Sequence, residues 1–290
     1  MSIKDWTRLI GLSLLWGGSF FFVEIAVRGL PALSIVWARV ALGAMCLALL
    51  LRLSGVGLPR GAAAWRALLG MGLLNNVIPF TLFVLAQGQI SGAMAAILNA
   101  TTPLWGVALA HAFTAEKITP RKAAGLLAGF CGVVVMMGGA AQGDLWAGLA
   151  CLGAAFSYGV AGLWGRRFRS LRVVPLQAAF GQVACAAVLI TPLWLWLDRP
   201  WQMAVPGAEV IGALVGIAVL STALAYLIYF RLLESAGAAN VLLVTFLVPV
   251  SAVALGVIFL AEALAWRQVA GFALIASGLA ALDGRVRLWR

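Results

Sequence analysis

Charge is scarce in this chain. Nine Asp and Glu, twenty Lys and Arg and one histidine are spread over 290 residues. With so few ionisable groups, no His/Glu metal cluster and no Ser-His-Asp set can be assembled from the sequence. A Walker-type glycine loop is also missing, which argues against ATP-driven pumping by this chain alone. The four cysteines, Cys46, Cys131, Cys151 and Cys185, each lie in an apolar run with no paired spacing. They read as small buried hydrophobes, neither a disulfide framework nor a zinc site. Long polar segments are absent too, which excludes a sizeable soluble catalytic domain. The expectation is a protein that is not an enzyme and uses no cofactor and no metal.

What is present is hydrocarbon. Sixty-four per cent of the residues are hydrophobic and the mean hydropathy is +1.06, more than a soluble protein with a water-facing exterior can use. A spanning helix needs roughly 20 apolar residues, and polar and Pro/Gly punctuation cuts the chain into ten such segments. They are 8–29, 32–53, 64–86, 91–113, 121–140, 145–165, 174–197, 209–232, 238–260 and 267–283. The first is too long for a signal-peptide core and has no cleavage site of the A-x-A type, so it reads as a retained helix.

The net charge of +11 reports topology, not nucleic acid. With the N terminus inside, Lys4, Arg8, Arg52, Arg60, Arg66, Lys117, Arg121, Lys122, Arg166, Arg167, Arg169, Arg172, Arg231, Arg285, Arg287 and Arg290 all fall on the cytoplasmic side. Only Arg28, Arg199 and Arg267 fall outside, and Arg39 lies within a span. By the positive-inside rule both termini are expected in the cytoplasm.

The chain also repeats itself. A shift of 146 residues lays "FTAEKITPRKAAGLLAGFCG" (Phe113 to Gly132) over "FLAEALAWRQVAGFALIASG" (Phe259 to Gly278). It matches Glu116 with Glu262, Gly125 with Gly271 and Pro103 with Pro249, and sets Asn75 and Asn76 against Ser221 and Thr222. Five helices per half is an odd number, so the halves, 1–140 and 141–290, are expected to cross the membrane in opposite senses. The expected fold class is thus an all-α membrane protein of ten transmembrane helices in two inverted five-helix repeats. Such repeats recur in secondary transporters, where substrate sits near the bilayer midplane between the halves.

Polar residues gather at that depth: Ser19, Asn75, Asn76, Asn99, Thr101, Thr102, Ser157, Tyr158, Ser221, Thr222, Tyr226, Thr245 and Ser251, and the same helices carry the large rings of Trp16, Phe20, Phe80, Phe83, Trp105, Phe156, Trp164 and Tyr229. Such groups must find protein partners as interhelical glue or line a wet cavity. The candidate substrate lining is Trp16, Ser19, Asn75, Asn76, Phe80, Asn99, Thr102, Ser157, Tyr158, Trp164, Ser221, Tyr226 and Thr245. Pro103 and Pro249 free the carbonyls of Asn99 and Thr245, either opening helix breaks for a solute or only kinking their helices. An amide and carbonyl lining without midplane charge suits a neutral or zwitterionic solute.

Glu24 and Arg39 are the only charges well inside the spans, at similar depth on adjacent helices. They read as a shielded ion pair, or else as a proton carrier or outer gate and a carboxylate anchor. Glu116 and Glu262 each precede a helix, where a carboxylate can satisfy free N–H groups or pair with Arg121 or Arg267. His111 has no repeat partner and is weak evidence for any role. Gly125 and Gly129 form a close-packing motif that points to contact between the fifth and tenth helices within the chain, not to a dimer seam.

These features, with "LLWGGSFFF" (Leu14 to Phe22) and "AEKITPRKAAG" (Ala115 to Gly125) recurring as "AEALAWRQVAG" (Ala261 to Gly271), resemble the drug/metabolite transporter superfamily in its EamA-type members. The overall character resembles the YddG-type exporters of aromatic and other neutral amino acids within it. The resemblance implies alternating access through a central cavity walled by helices 1, 3, 4, 6, 8 and 9, and export from a bacterial inner membrane. The expected function is a secondary transporter of small neutral or zwitterionic metabolites, amino acids first. The alternatives are a multidrug or other metabolite exporter of the same fold, or a lipid-handling membrane protein. Its expected partners are a small-molecule substrate and the lipid bilayer, without nucleic acid, and a monomer suffices.

Overall fold

The structure, a computed structural model, describes residues 2–115, 118–137, 142–237, 241 and 243–283. Glu116, Lys117, Arg285, Arg287, Arg290 and the expected boundary between the halves lie outside those residues. The described chain runs as helix, short turn, helix, with no strand. Its long helices are α1 (Ile3–Ala26), α2 (Ala32–Leu53), α3 (Ala62–Gln87), α4 (Gly92–Phe113), α5 (Pro120–Met137), α6 (Gln142–Gly165), α7 (Pro175–Leu197), α8 (208–236), α9 (Val244–Leu260) and α10 (Trp266–Asp283), with single helical turns at Arg167–Ser170 and Pro200–Gln202. Seven of them, α1 to α4 and α6 to α8, are long and apolar enough to cross a membrane. Val134, Val188 and Ile258 are each 71% exposed while Leu9, Ile35 and Leu104 are fully buried, so the bundle is apolar both inside and out.

Local chemistry sets the helix ends. α1 starts at Ile3, ahead of the expected residue 8, because Ser2 and Asp5 form a reciprocal capping box. Pro120 and Pro175 open α5 and α7 where a missing N–H costs nothing. Thr119 also caps α5, its hydroxyl accepting from Lys122 N–H at 3.4 Å. His111, exposed at the end of α4, accepts the Ile118 N–H on Nδ1 at 3.2 Å and ties down this turn.

Two helices widen to π geometry at positions related by the 146-residue repeat: Leu73–Val77 in α3 and Gly216–Leu224 in α8. Their causes differ. In α3, Pro79 cannot donate to the carbonyl of Asn75 and its ring crowds that carbonyl, so the turn before it opens. In α8, the Thr222 hydroxyl donates to the carbonyl of Ile217, five residues back, at 3.0 Å. π turns leave backbone groups without their usual helical partner, and the carbonyl of Leu74 is taken up by the Ser157 hydroxyl of α6 at 2.6 Å.

The two expected helix breaks come out differently. α4 is interrupted between Asn99 and Thr102, whereas α9 runs unbroken through Pro249. Hydroxyls explain the difference. Thr101 and Thr102 donate to the carbonyls of Leu98 and Asn99 at 2.7 and 2.8 Å, satisfying the groups that the break would strand. Their repeat equivalents are Leu247 and Val248, which have nothing to donate. The Asn99 carbonyl is therefore an occupied acceptor, not one waiting for a solute.

α5 and α10 pack against each other through a reciprocal glycine seam. A Cβ on Gly132 would lie 2.6 Å from the Gly271 carbonyl oxygen and 2.9 Å from the Ile275 nitrogen. A Cβ on Gly278 would collide with the Gly125 carbonyl oxygen and lie 2.7 Å from the Gly129 nitrogen. Gly132 and Gly278 are repeat equivalents, as are Gly125 with Gly271 and Gly129 with Ile275. Each half thus offers the other the same surface, and the motif is spent within the chain.

α2 and α7 join at the opposite end of the bundle from the N terminus. The Asp198 carboxylate accepts from both the N–H and the hydroxyl of Ser34 at 2.7 Å, while Trp37 stacks on Trp194 at 3.8 Å between centroids. Asp198→Ala leaves two donors without their acceptor and is expected to cost about 2 kcal/mol, read as a lower melting temperature in detergent. Melting as in the parent protein would show that this clasp holds nothing. The cysteines are all free, with Cys151 and Cys185 buried. Cys131 departs from expectation, being exposed on α5.

Candidate functional site

Close backbone approaches set up the centre of the molecule. A Cβ on Gly72 of α3 would lie 2.7 Å from the Gln182 carbonyl oxygen of α7, so only glycine lets these helices come so near. Gln182 is thereby brought against the π turn of α3. Its Oε1 accepts from the amides of Asn75 at 2.8 Å and Asn76 at 3.2 Å, and its Nε2 donates to the Tyr226 hydroxyl of α8 at 3.3 Å. Three helices from both halves are thus tied by one side chain. On the other side, Gly17 of α1 allows contact with the backbone of α9 at Val248 and Ala252, and Ser13 and Ser251 share a hydrogen bond of 3.0 Å.

Between these contacts lies a cavity of about 440 Å³, within the range of roughly 300–1,000 Å³ typical of small-molecule sites. Of the expected lining, Trp16, Ser19, Asn75, Asn76, Phe80, Asn99, Thr102, Tyr158, Ser221, Tyr226 and Thr245 border it. All three tyrosines of the chain do so, and Phe20, Phe83 and Phe168 add further rings. Trp16 and Tyr229 face each other at 5.7 Å, and Phe83 stands edge-on to Phe20 at 5.4 Å and stacks on Tyr158 at 6.2 Å. The walls are flat and apolar with amides set among them, an arrangement that accepts a planar body and orients its polar end.

Ser157 and Trp164 are not brought into the cavity. Ser157 is engaged by Leu74, and the Trp164 indole donates to the Ala67 carbonyl at 2.8 Å while Arg167 covers its ring at 3.8 Å. Both hold α6 against α3. Packing turns these side chains toward a neighbouring helix.

Glu24 and Arg39 do not form the expected pair. Glu24 accepts from the Gly92 N–H at 2.9 Å, at the N-terminus of α4. Glu262 comes from the other half and accepts from the adjacent Ala93 N–H at 3.3 Å. It fits because Gly256 has no side chain, since a Cβ there would lie 2.6 Å from the Glu262 carboxyl carbon. A helix N-terminus presents unsatisfied N–H groups and partial positive charge, which is what two carboxylates need at this depth. Glu262 therefore satisfies free N–H groups as expected, but those of a different helix from the one it precedes.

Arg39 instead borders the cavity, its guanidinium 3.6 Å above the centre of the Phe80 ring. The lining therefore does carry charge, contrary to the sequence expectation. It is positive, and among the described residues no carboxylate borders the cavity. No group of three or more His, Cys, Asp or Glu comes together as a metal site among the described residues.

The lining reaches Phe168 and Pro175, at the arginine-rich turn between α6 and α7, where Pro175 is exposed. Toward the other end it stops at Gln87 and the Phe20–Phe83 pair, beneath the Glu24 and Glu262 contacts with α4. The cavity thus reaches the surface at the basic end and is roofed at the opposite one.

The sequence model of the EamA-like transporter family matches this chain twice, over residues 8–138 and 145–282. The chain belongs to the EamA-like transporter family. Both halves carry the family's sequence pattern, which accounts for the repeat. Among relatives, an uncharacterized transporter of Bacillus subtilis (strain 168), YvbV, is 28% identical over 92% of this chain and 88% of its own. YedA, an uncharacterized inner membrane transporter of Escherichia coli (strain K12), is 26% identical over 86% of this chain and 80% of its own. A solved crystal structure covers 99% of both chains with a TM-score of 0.70 at 20% identity, which shows a shared fold. The protein is accordingly a multi-pass membrane transporter of EamA type.

Two features of the site escaped the sequence reading. Gln182 sits in the apolar run "AAFGQVACAA", where a lone amide in a spanning segment was the available signal. Pro79 in "NNVIPF" was the signal for the π turn of α3.

Proposed function

We propose that this EamA-type transporter is a secondary exporter of small amphiphilic metabolites, with aromatic and other amino acids first, working by alternating access through the central cavity. The observation that carries this reading is the cavity itself. It lies between the two halves, is walled by rings and amides, reaches one end of the bundle and is roofed at the other. In this reading the two halves are inverted repeats, the arginine-rich end is cytoplasmic by the positive-inside rule, and the structure is the inward-facing state. Export begins when a solute enters beside Phe168. Parting of α1 and α4 at Gly92 then opens the far end while the basic end closes. A single chain suffices and no chemical conversion takes place.

Flux into proteoliposomes tests this reading. Counterflow of at least one aromatic or neutral amino acid is expected, and a tenfold or greater loss when Asn75 and Asn76 are both changed to Ala. No flux of any solute across a broad panel of amino acids, amphiphilic acids and drugs would overturn it.

A further inference from the structure

Arg39 is a cation deep within a membrane protein, and among the described residues it has no counter-ion. Its Nε is fully buried and unpartnered, and among the described residues nothing forms a hydrogen bond or ion pair with its guanidinium. It is held by the face of Phe80, and Tyr158 and Tyr226 border the same cavity. Glu24 and Glu262, the described carboxylates nearest that depth, are both committed to the N-terminus of α4. An uncompensated charge in this setting is costly, and intramembrane ionisable groups that face a cavity mark solute pathways.

A planar guanidinium bordering a ring-walled cavity matches a carboxylate, which it can receive through two parallel hydrogen bonds. The phenyl face that fixes Arg39 also offers apolar surface beside the carboxylate's substituent. Nothing in the described lining offers a negative charge to an ammonium group, so a bare cation would meet like charge and only neutral acceptors.

We propose that Arg39 is the docking point for a carboxylate of the transported solute, and that the solute class is aromatic or otherwise apolar monocarboxylates, with or without an α-amino group. This rests on the reading of the cavity as the solute path. It narrows that reading by making the carboxylate obligatory and the amine dispensable.

Three probes with one shared body test this: 3-phenylpropionate, L-phenylalanine and phenethylamine, titrated by calorimetry into the purified full-length protein. The parent protein is expected to bind the first two and to bind phenethylamine at least tenfold more weakly. Arg39→Gln, which removes the charge and keeps an amide donor, is expected to lose the acid at least tenfold. Arg39→Lys keeps the charge without the fork and is expected to lose it severalfold. A residue that only braced α2 would alter melting but not the order of the three probes. The proposal is overturned if Arg39→Gln binds the acid like the parent, if the amine binds as well as the acid, or if none of the probes binds the parent. Failure of the cavity reading looks different. Ala178→Trp, a change in the lining on α7, is expected to weaken acid binding. Acid binding that depends on Arg39 but ignores Ala178→Trp would keep the anion site and remove it from the solute path.

Discussion

Gly132→Leu is expected to unfold the seam between α5 and α10, at a cost of about 3 kcal/mol or more. A flexible side chain can move aside for a methyl group, but a carbonyl oxygen of a packed helix cannot without moving the helix. The Cβ of residue 132 would sit 2.6 Å from the Gly271 carbonyl oxygen, so both helices would have to part along their length. Gly278→Leu should do the same from the other side, since it meets Gly125 and Gly129 at the equivalent contact. Small residues at such interfaces let backbones approach, and in lipid that close packing is much of what holds helices together. The contrast is Gly11, where a Cβ would meet nothing within 4 Å. Gly11→Ala is expected to be neutral or to stabilise by up to ~1 kcal/mol through helix propensity alone. Thermal melting in one detergent ranks the three variants, and Gly132→Leu melting with Gly11→Ala would refute the seam.

Gln182→Leu is expected to lower solute flux at least tenfold with a smaller effect on stability. Leucine nearly preserves the volume but strands the amides of Asn75 and Asn76 and frees the Tyr226 hydroxyl from α7. Asn75 is only half-buried and borders the cavity, so its amide can turn to solvent there, and the stability cost falls on the buried amide of Asn76 while the wall loses its shape. Gln182→Glu separates shape from charge. A carboxylate still accepts from both asparagine amides and can accept from the Tyr226 hydroxyl, but it places a negative charge in the wall. If the solute carries a carboxylate, Gln182→Glu is expected to fold like the parent and to bind 3-phenylpropionate more weakly. Normal flux in Gln182→Leu would show that the amide cluster only braces the bundle.

Much of the architecture was legible because membrane helices announce themselves by length and hydrophobicity. The ends of α2 were read to the residue, and most of the polar residues that share the cavity, Gln87 and Gln182 apart, were found by depth alone. Rotation about the helix axis was not legible. Ser157 and Glu24 turn toward Leu74 and Gly92, and Trp164, near the end of α6, turns toward Ala67, because azimuth is set by packing that no spacing rule contains. Arg39 was assigned to Glu24 for the same reason. The matching prolines misled in a different way. Pro103 and Pro249 are equivalent in sequence, yet only the helix with hydroxyls just before its proline could satisfy the freed carbonyls and break. The discontinuities that do recur in both halves are π turns, produced by Pro79 in α3 and by Thr222 in α8, and no single residue type marks both.

The most direct measurement places one cysteine in the wall of the cavity and asks whether plugging it stops transport. Ala178 borders the cavity on α7, near its basic mouth. In a background with the four native cysteines replaced by serine, Ala178→Cys should support flux into proteoliposomes. A membrane-impermeant thiol reagent applied at the basic face should then label it and abolish that flux, and saturating solute should slow the labelling. Complete labelling with flux unchanged would contradict the account, because the solute would then be crossing somewhere other than the cavity between the halves.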